Sequence, residues 1–204
     1  FPYGADAKTV VSLMLKNFKN VISRIGRPKN GLSFYRSIIL ASLVEAETNR
    51  ADERKRVASV FLNRIKTRRF LQSCASVKYI KMPKILELRK KLQKIKKEAQ
   101  LEENIARKRM LERQIKRLTR QATIITYRDL KIVNPYKTYR NMGLPPGPIC
   151  NPGIKALDAA FNPAQTNYLF FVWNKRKGRH DFTTNYRSHV NRIYQIRGSL
   201  GQRN

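Results

Sequence analysis

The segment that decides the fold runs from Ser33 to Glu47 and reads SFYRSIILASLVEAE. Serine is a favoured helix N-cap residue, and the aliphatic run between positions 38 and 44 is typical of a helix that lies largely inside a core. Two carboxylates, Glu45 and Glu47, follow directly on the apolar run. The sequence therefore predicts a core helix that brings two carboxyl groups to its end.

Helices are predicted on both sides of this segment. Residues 5–25 carry apolar side chains at three- and four-residue spacing, with Asp6 as a plausible N-cap. A third helix is predicted from about 52 to 66, where Asp52 and Glu53 suit the positive end of the helix dipole. Residues 70–80 are predicted to form a loop followed by a short strand.

The composition changes abruptly over residues 81–122. This segment holds 15 Lys or Arg and 5 Glu, and it lacks Gly and aromatic residues. Two apolar seams run through it in different phases, with a break near residues 100–104. The seams are Leu88, Leu92, Ile95 and Ala99, then Leu111, Ile115, Leu118 and Ala122. Two antiparallel helices forming a hairpin account best for this pattern, and one long helix with a stutter is the alternative.

Ordinary globular patterning resumes at residue 123. The elements expected there are a Pro- and Gly-rich loop over 136–153, a helix over 154–161, strands over 168–173 and 180–184 joined through 174–178, and a last helix over 186–196 ending at Gly198. The predicted class is α+β, mostly helical with a small antiparallel β-hairpin. Residues 1–80 and 123–204 form the predicted main domain, and 81–122 is a basic helical hairpin inserted into it.

The net charge of the chain predicts an anionic partner but does not say which kind. The chain of 204 residues has a formal net charge of +31 at pH 7. Such a field attracts nucleic acid, anionic lipid headgroups or acidic wall polymers, although a basic solvated surface is an equally simple explanation. Cys74, Cys150, His180 and His189 lack the spacing of a metal site. A disulfide between the two cysteines stays open at this point.

Several strings occur in a diagnostic order. They are ASLVEAE at 41–47, VASVFLNR at 57–64, LQS at 71–73, GLPPGPI at 143–149, NPG at 151–153 and YLFFV at 168–172. In this combination the chain resembles the endolytic murein transglycosylase family, of the MltG type with a YceG-like domain. The resemblance covers nearly all of the chain outside 81–122.

The resemblance implies an enzyme at the outer face of the bacterial cytoplasmic membrane that cuts nascent peptidoglycan. It implies cleavage between N-acetylmuramic acid and N-acetylglucosamine with formation of a 1,6-anhydro ring, and neither metal nor cofactor. The first Glu of the Val-Glu-x-Glu string, Glu45, is the implied single general acid and base. The family's membrane helix and small LysM-like subdomain are not in this sequence.

The chemistry suits Glu45, because apolar residues before it and the negative end of a helix both favour the neutral carboxylic acid. Glu47 is expected to be a support that binds Arg54, Arg64 or a backbone amide. The remaining candidates are expected to bind sugar or shape the cleft, although packing and loop hydrogen bonds are competing explanations. They are Asn63, Gln72, Ser73, Tyr136, Tyr139, Leu144, Pro145, Pro146 and His180.

The chain departs from the family pattern at a few positions. Cys74 and Ala75 stand where an Asp and a Pro are common, Lys137 stands where an Asn is common, and Ile80 stands where a Gly is common. These departures lie in the implied substrate groove and leave open a cleft that binds glycan without cutting it.

Three hypotheses remain for the basic surface. The hairpin at 81–122 docks on anionic lipid headgroups, docks on a partner in the wall-synthesis machinery, or is a solvated appendage. The rival for the whole chain is a nucleic-acid-binding protein on a recruited, inactive version of the same fold, which the net charge favours. The retained Glu45 and the Pro/Gly loop count against that rival.

Overall fold

The computed structural model describes residues 4–201, with side-chain environments through residue 198. Helix α1 spans Ala7–Ile25 and helix α2 spans Phe34–Glu47. The predicted caps are present, because Asp6 accepts a hydrogen bond from the Thr9 amide and Ser33 accepts one from the Arg36 amide. Helix α3 spans Arg54–Lys66.

The short strand predicted before residue 80 is wrong. Residues Cys74–Ile80 form helix α4. Val77, Tyr79 and Ile80 favour strands by propensity, which explains the error. Tertiary contacts override that propensity, since the side chain of Glu47 lies at the start of the helix, where it accepts the Ala75 N–H.

The basic segment forms two helices, α5 over Met82–Leu101 and α6 over Ile105–Thr123. They are antiparallel, because Arg107 at the start of α6 binds Glu98 near the end of α5, while Lys81 before α5 binds the carbonyl of Ile124 after α6. Ile85 and Ala99 on α5 and Leu111 and Leu118 on α6 are buried. The hairpin and its break near residues 100–104 are confirmed, and the single long helix is excluded.

The rest of the chain follows the predicted order. A 3₁₀ turn at Asp129–Lys131 leads into an irregular segment that ends at helix α7, Ile154–Phe161. Strands β1, Phe170–Asn174, and β2, Arg179–Thr183, pair antiparallel with Phe171 opposite Phe182. The predicted strands were therefore displaced by up to two residues.

Helix α8 spans Tyr186–Gly201 and continues past the predicted end at Gly198. A single glycine costs a helix about 1 kcal/mol relative to alanine, which is too little to end it when the following residues remain helical. Gly198 therefore lies inside the helix. The fold class, mostly helical α+β with a two-stranded antiparallel sheet, is confirmed.

The core lies among α2, α3 and α7. Leu40, Leu43, Val57, Phe61 and Phe161 are each at most 1% exposed. Helix α1 covers this core from outside, and it contributes Val21, Ile22 and Ile25 as half-buried neighbours. Within the described residues, no helix combines the length and apolar character that a membrane span requires.

We expect the hairpin to be dispensable for folding, because the core cluster contains no residue of α5 or α6. Replacing residues 82–123 with a short Gly/Ser linker should leave cooperative thermal unfolding, with a midpoint within about 5 °C of the parent. Lys81 is retained, since it forms an ion pair of 2.6 Å with Asp129. A noncooperative transition in differential scanning calorimetry would show that the main domain needs residues 82–123 in order to fold.

Candidate active site

One face of α2 supports the Pro/Gly-rich loop. The side chain of Ser42 accepts the Ile149 amide at 3.0 Å, and the backbone carbonyl of Ser42 accepts the Cys150 thiol at 3.3 Å. About one turn further along α2, the Glu45 carboxylate accepts a hydrogen bond from the backbone N–H of Gly153. The loop thus runs along the helix toward the helix end and forms a wall beside Glu45.

The upper part of this wall is fixed by close packing. An added Cβ at Gly147 would lie 2.8 Å from the hydroxyl oxygen of Tyr136, so a larger residue would displace that side chain, whereas the Tyr35 hydroxyl at 3.5 Å would stay in ordinary contact. Pro145 is buried, Pro146 is exposed, and Leu144 packs against the core. Of these three predicted cleft residues, Pro146 is the most exposed to solvent.

Glu45 is held at both carboxylate oxygens. Arg54 Nη2 donates to Oε1 at 2.9 Å, and the backbone N–H of Gly153 donates to Oε2 at 3.1 Å. Gly153 is the N-cap of α7, so Glu45 also lies at the positive end of that helix dipole. The Glu45 side chain is 28% exposed, so it remains partly accessible to solvent.

The apolar setting expected for Glu45 is therefore wrong in its main point. The apolar residues before Glu45 point into the core, whereas its carboxyl meets a guanidinium, a backbone amide and a helix N-terminus. Each of these groups stabilises a carboxylate. The sequence showed a hydrophobic helix but not which elements would pack beside its last turn.

Arg54 links this carboxylate to the start of α3. Its side chain is 9% exposed, and Nε donates to the carbonyl of Thr48 at 3.3 Å. Arg54 therefore pairs with Glu45, and not with Glu47 as the sequence had suggested as one option. The sequence analysis offered Arg54 as one of three possible partners of Glu47 and did not pair it with Glu45.

Glu53 is the fully buried carboxylate next to Arg54. Its Oε1 accepts the backbone N–H of His180 at 2.9 Å, and its Oε2 lies 2.7 Å from Nδ1 of the His180 ring. This contact joins strand β2 to the start of α3. His180 was predicted to contact substrate. Its side chain is only 9% exposed, and its ring binds Glu53.

Glu47 turns away from Glu45 and serves α4. Its Oε1 accepts the hydroxyl of Ser73 and, at 3.5 Å, the N–H of Ala75. Ser73 is itself buried, and its N–H donates to the Thr138 hydroxyl at 2.9 Å. The backbone amide among the expected partners of Glu47 is therefore the one present, and Ser73 lies behind the site as a support.

Asn63 and Gln72 lie farther along α3 and in the loop that follows it. The Asn63 amide donates to the carbonyls of Thr166 and Tyr168 at 2.7 and 2.9 Å. Gln72 accepts a hydrogen bond from Arg64 through its side chain. Asn63 is nine residues from Arg54, about 13 Å along the helix, so it does not reach the Glu45 carboxyl.

The two predicted tyrosines have different surroundings. The ring of Tyr136 packs on Tyr79 with centroids 4.8 Å apart. The hydroxyl of Tyr139 lies 3.1 Å from the Cys74 thiol, and burial, followed by the hydrogen bond with Cys74, raises the pKa of Tyr139 well above its ordinary value. Tyr136 borders the wall at Gly147, whereas Tyr139 belongs to the packing beneath α4.

Both cysteines are free thiols, so no disulfide joins Cys74 to Cys150. Burial, with the neighbouring Glu45 carboxylate as the second cause, raises the pKa of the Cys150 thiol. Within the described residues, no group of three His, Cys, Asp or Glu side chains is arranged to hold a metal ion.

Two curated relatives align with most of the chain. An endolytic murein transglycosylase from Bacillus subtilis is 29% identical over 182 residues, which is 88% of this chain and 40% of that protein. One from Streptococcus pneumoniae is 28% identical over 180 residues, which is 88% of this chain and 26% of that protein. The chain therefore spans less than half the length of these relatives.

A solved structure and a family model agree with them. The crystal structure of a YceG-like protein from Listeria monocytogenes superposes with a TM-score of 0.59 at 26% identity, covering 92% of this chain and 49% of that one. The model of the YceG-like family matches residues 1–195. Given this match along nearly its whole length, the chain belongs to the YceG-like family.

Proposed function

We propose that this chain is the catalytic part of a lytic transglycosylase that cuts peptidoglycan strands, with Glu45 as its single acid and base. The observation that carries the proposal is the carboxyl of Glu45, fixed at both oxygens by Arg54 and Gly153 on a side chain that is still partly exposed beside the 143–153 wall. The names of the curated relatives, endolytic murein transglycosylases, support the same reaction class.

The neighbouring carboxylates support a mechanism with one catalytic group. Ordinary glycosidases place two carboxyl groups across the scissile bond. Here Glu47 is bound by Ser73 and Ala75, and Glu53 is fully buried against His180. Because Glu47 faces the start of α4 and Glu53 is enclosed, neither is placed to activate water opposite Glu45.

In the proposed reaction Glu45 first gives its proton to the glycosidic oxygen as the bond to the anomeric carbon breaks. The carboxylate that results then takes the proton of the C6 hydroxyl of muramic acid. That hydroxyl oxygen bonds to the anomeric carbon and closes a 1,6-anhydro ring, so no water is consumed. Arg54 and the Gly153 amide stabilise the carboxylate formed between the two proton transfers.

The nucleic-acid alternative gains no support from the structure or the relatives. Binders of single-stranded nucleic acid stack bases on aromatic side chains within a basic groove. The most basic segment, 81–122, has no Trp, Tyr or Phe. The curated relatives are named as endolytic murein transglycosylases and not as nucleic-acid-binding proteins.

The hairpin of α5 and α6 gives the protein a second surface, which we propose lies on an anionic membrane. The segment 81–122 carries 15 Lys or Arg residues. Among the described residues, three of these form ion pairs with carboxylates, namely Lys81, Lys91 and Arg107. At the tip, Leu101 is 85% and Ile105 is 69% exposed. Unpaired cations around an exposed apolar tip suit a lipid surface, where each Lys or Arg contributes about 1 kcal/mol.

Replacing Glu45 with Gln should lower the rate of strand cleavage by about 10²- to 10⁴-fold, because the amide cannot transfer the proton. The amide oxygen can still accept the Arg54 hydrogen bond, but the buried guanidinium loses the charge of its partner, so the melting temperature should fall while the protein stays folded. The assay is digestion of uncrosslinked nascent peptidoglycan, with products identified by mass spectrometry. Glu103→Gln, at an exposed carboxyl in the hairpin, is the matched control. Equal cleavage by both variants would remove Glu45 from the mechanism.

Arg54→Lys should lower kcat by about 10- to 100-fold with little change in KM, because lysine lacks the fork that holds Glu45 and the Thr48 carbonyl together. Arg50→Lys removes a comparable fork from the exposed Asp52 and serves as the control. Steady-state kinetics on soluble strands measure both. Similar kcat values for the two variants would contradict a positioning role for Arg54.

The membrane proposal predicts that Leu101→Ser with Ile105→Ser weakens cosedimentation with phosphatidylglycerol vesicles. Binding to phosphatidylcholine vesicles should be weak for every variant, because the cations lack a partner there. Leu86→Ser is the control, since Leu86 is 50% exposed but lies at the base of the hairpin. Undiminished binding by the double variant would contradict insertion of the tip.

A further inference from the structure

Three arginines converge on a cavity that the proposed reaction does not use. The cavity, about 260 Å³, lies at the end of α3 and is lined by Arg64, Arg68, Arg69, Phe70, Gln72 and Phe170. Within the described residues none of the three arginines forms an ion pair. The other side chains that line the cavity are uncharged. In the part of the chain that the structure describes, no carboxylate is in direct contact with these guanidinium groups, although the Glu47 carboxylate acts on Arg64 electrostatically from a distance.

Arg64 forms the fixed floor of this cavity. Nε donates to the Leu169 carbonyl at 2.6 Å and Nη1 donates to the Leu71 carbonyl at 2.8 Å, while the guanidinium lies 5.0 Å from the ring centroid of Phe170. Burial, followed by repulsion from Arg69, lowers the pKa of Arg64. The guanidinium is thus held rigidly where a second positive charge already acts on it.

Arg68 occupies a backbone position that favours glycine. The Arg69 N–H bonds to the Arg64 carbonyl and the Arg68 N–H to the Ile65 carbonyl, the hydrogen-bond pattern of a Schellman cap. Arg68 has a φ of 52° at the left-handed position of this cap. Gln72, also on the cavity, has a φ of 51°, and these are the non-glycine residues with positive φ in the described chain.

Strained backbone at residues whose side chains line one cavity points to a role for those side chains. Guanidinium groups recognise carboxylates and phosphates through paired hydrogen bonds. We infer that the cavity formed by Arg64, Arg68 and Arg69 binds an oxyanion, a carboxylate or phosphate group, carried by the strand on which Glu45 acts. This inference rests on the proposed function for the identity of the strand.

The placement of the cavity suits such a role. Arg64 lies ten residues after Arg54 on α3, which is about 15 Å along the helix from the residue that holds Glu45. The loop that carries Gln72 continues into Ser73, which bonds Glu47. A polymer bound at Glu45 that extends toward the C-terminal end of α3 therefore needs a few sugar units to reach the arginines. Nascent strands carry two kinds of oxyanion, the carboxylates of their stem peptides and the diphosphate at a lipid-linked end.

The test measures binding with Glu45→Gln protein, so that no strand is cut. Arg68→Gly and Arg69→Gln should each weaken binding of peptide-bearing, lipid-linked strands by about tenfold, with Arg24→Gln, an exposed arginine on α1, as the control for net charge. Arg68→Gly should also keep or raise the melting temperature, because glycine relieves the left-handed backbone. A purely structural Arg68 predicts the same melting temperature but no loss of binding.

Two further strand preparations distinguish the source of the oxyanion. If the loss disappears on strands stripped of stem peptides, the ligand is a peptide carboxylate, and if it disappears on strands freed of the lipid diphosphate, the ligand is that diphosphate. Binding by Arg68→Gly and Arg69→Gln that matches Arg24→Gln on all strands would overturn the inference. Cleavage by the unmodified enzyme, measured separately, tests the proposed function, so the two ideas fail independently.

Discussion

The arrangement around Glu45 depends on the burial of Arg54. A guanidinium that is 9% exposed needs hydrogen-bond partners, because an unpaired buried charge costs several kcal/mol. Arg54 finds them in the Thr48 carbonyl and the Glu45 carboxylate, at the turn that connects α2 to α3. The same contacts fix the end of the core helix, the start of the next helix and the orientation of the candidate catalytic carboxyl. Adjacent in sequence, Glu53 fixes the β-hairpin to this turn through His180.

Glu45 and Glu47 lie two residues apart but contact different parts of the structure. Glu45 faces α7 and the 143–153 loop, whereas Glu47 faces Ser73 and the start of α4. The difference follows from helix geometry, since side chains at i and i+2 lie on different faces. The carboxyl of Glu45 thereby lies beside the 143–153 loop, whereas that of Glu47 holds Ser73 in place. This asymmetry is the structural basis for assigning the chemistry to one group.

Periodicity predicted the elements that bury an apolar face of their own. The helix at 34–47, the two seams of the hairpin and the helix at 154–161 were predicted in this way, because each carries a repeating pattern of apolar residues. Helix α4 was missed because a seven-residue helix is too short for a pattern and owes its start to Glu47, which lies far from it in sequence. The motif strings placed Glu45 and the loop together. They could not show that the Asn63 side chain would bind backbone carbonyls or that the His180 ring would bind Glu53. Nor could they show that Arg54 would pair with Glu45.

The central claim is that one carboxylate cuts the strand without water. The most direct measurement is digestion of nascent peptidoglycan in water enriched in ¹⁸O, followed by mass spectrometry of the new reducing-side ends. The proposed mechanism predicts 1,6-anhydro-muramic acid ends that contain no ¹⁸O, because the ring closes with the sugar's own C6 oxygen. Incorporation of ¹⁸O at the new ends would show that water attacks the anomeric carbon, and the single-carboxylate transglycosylase mechanism would then be wrong.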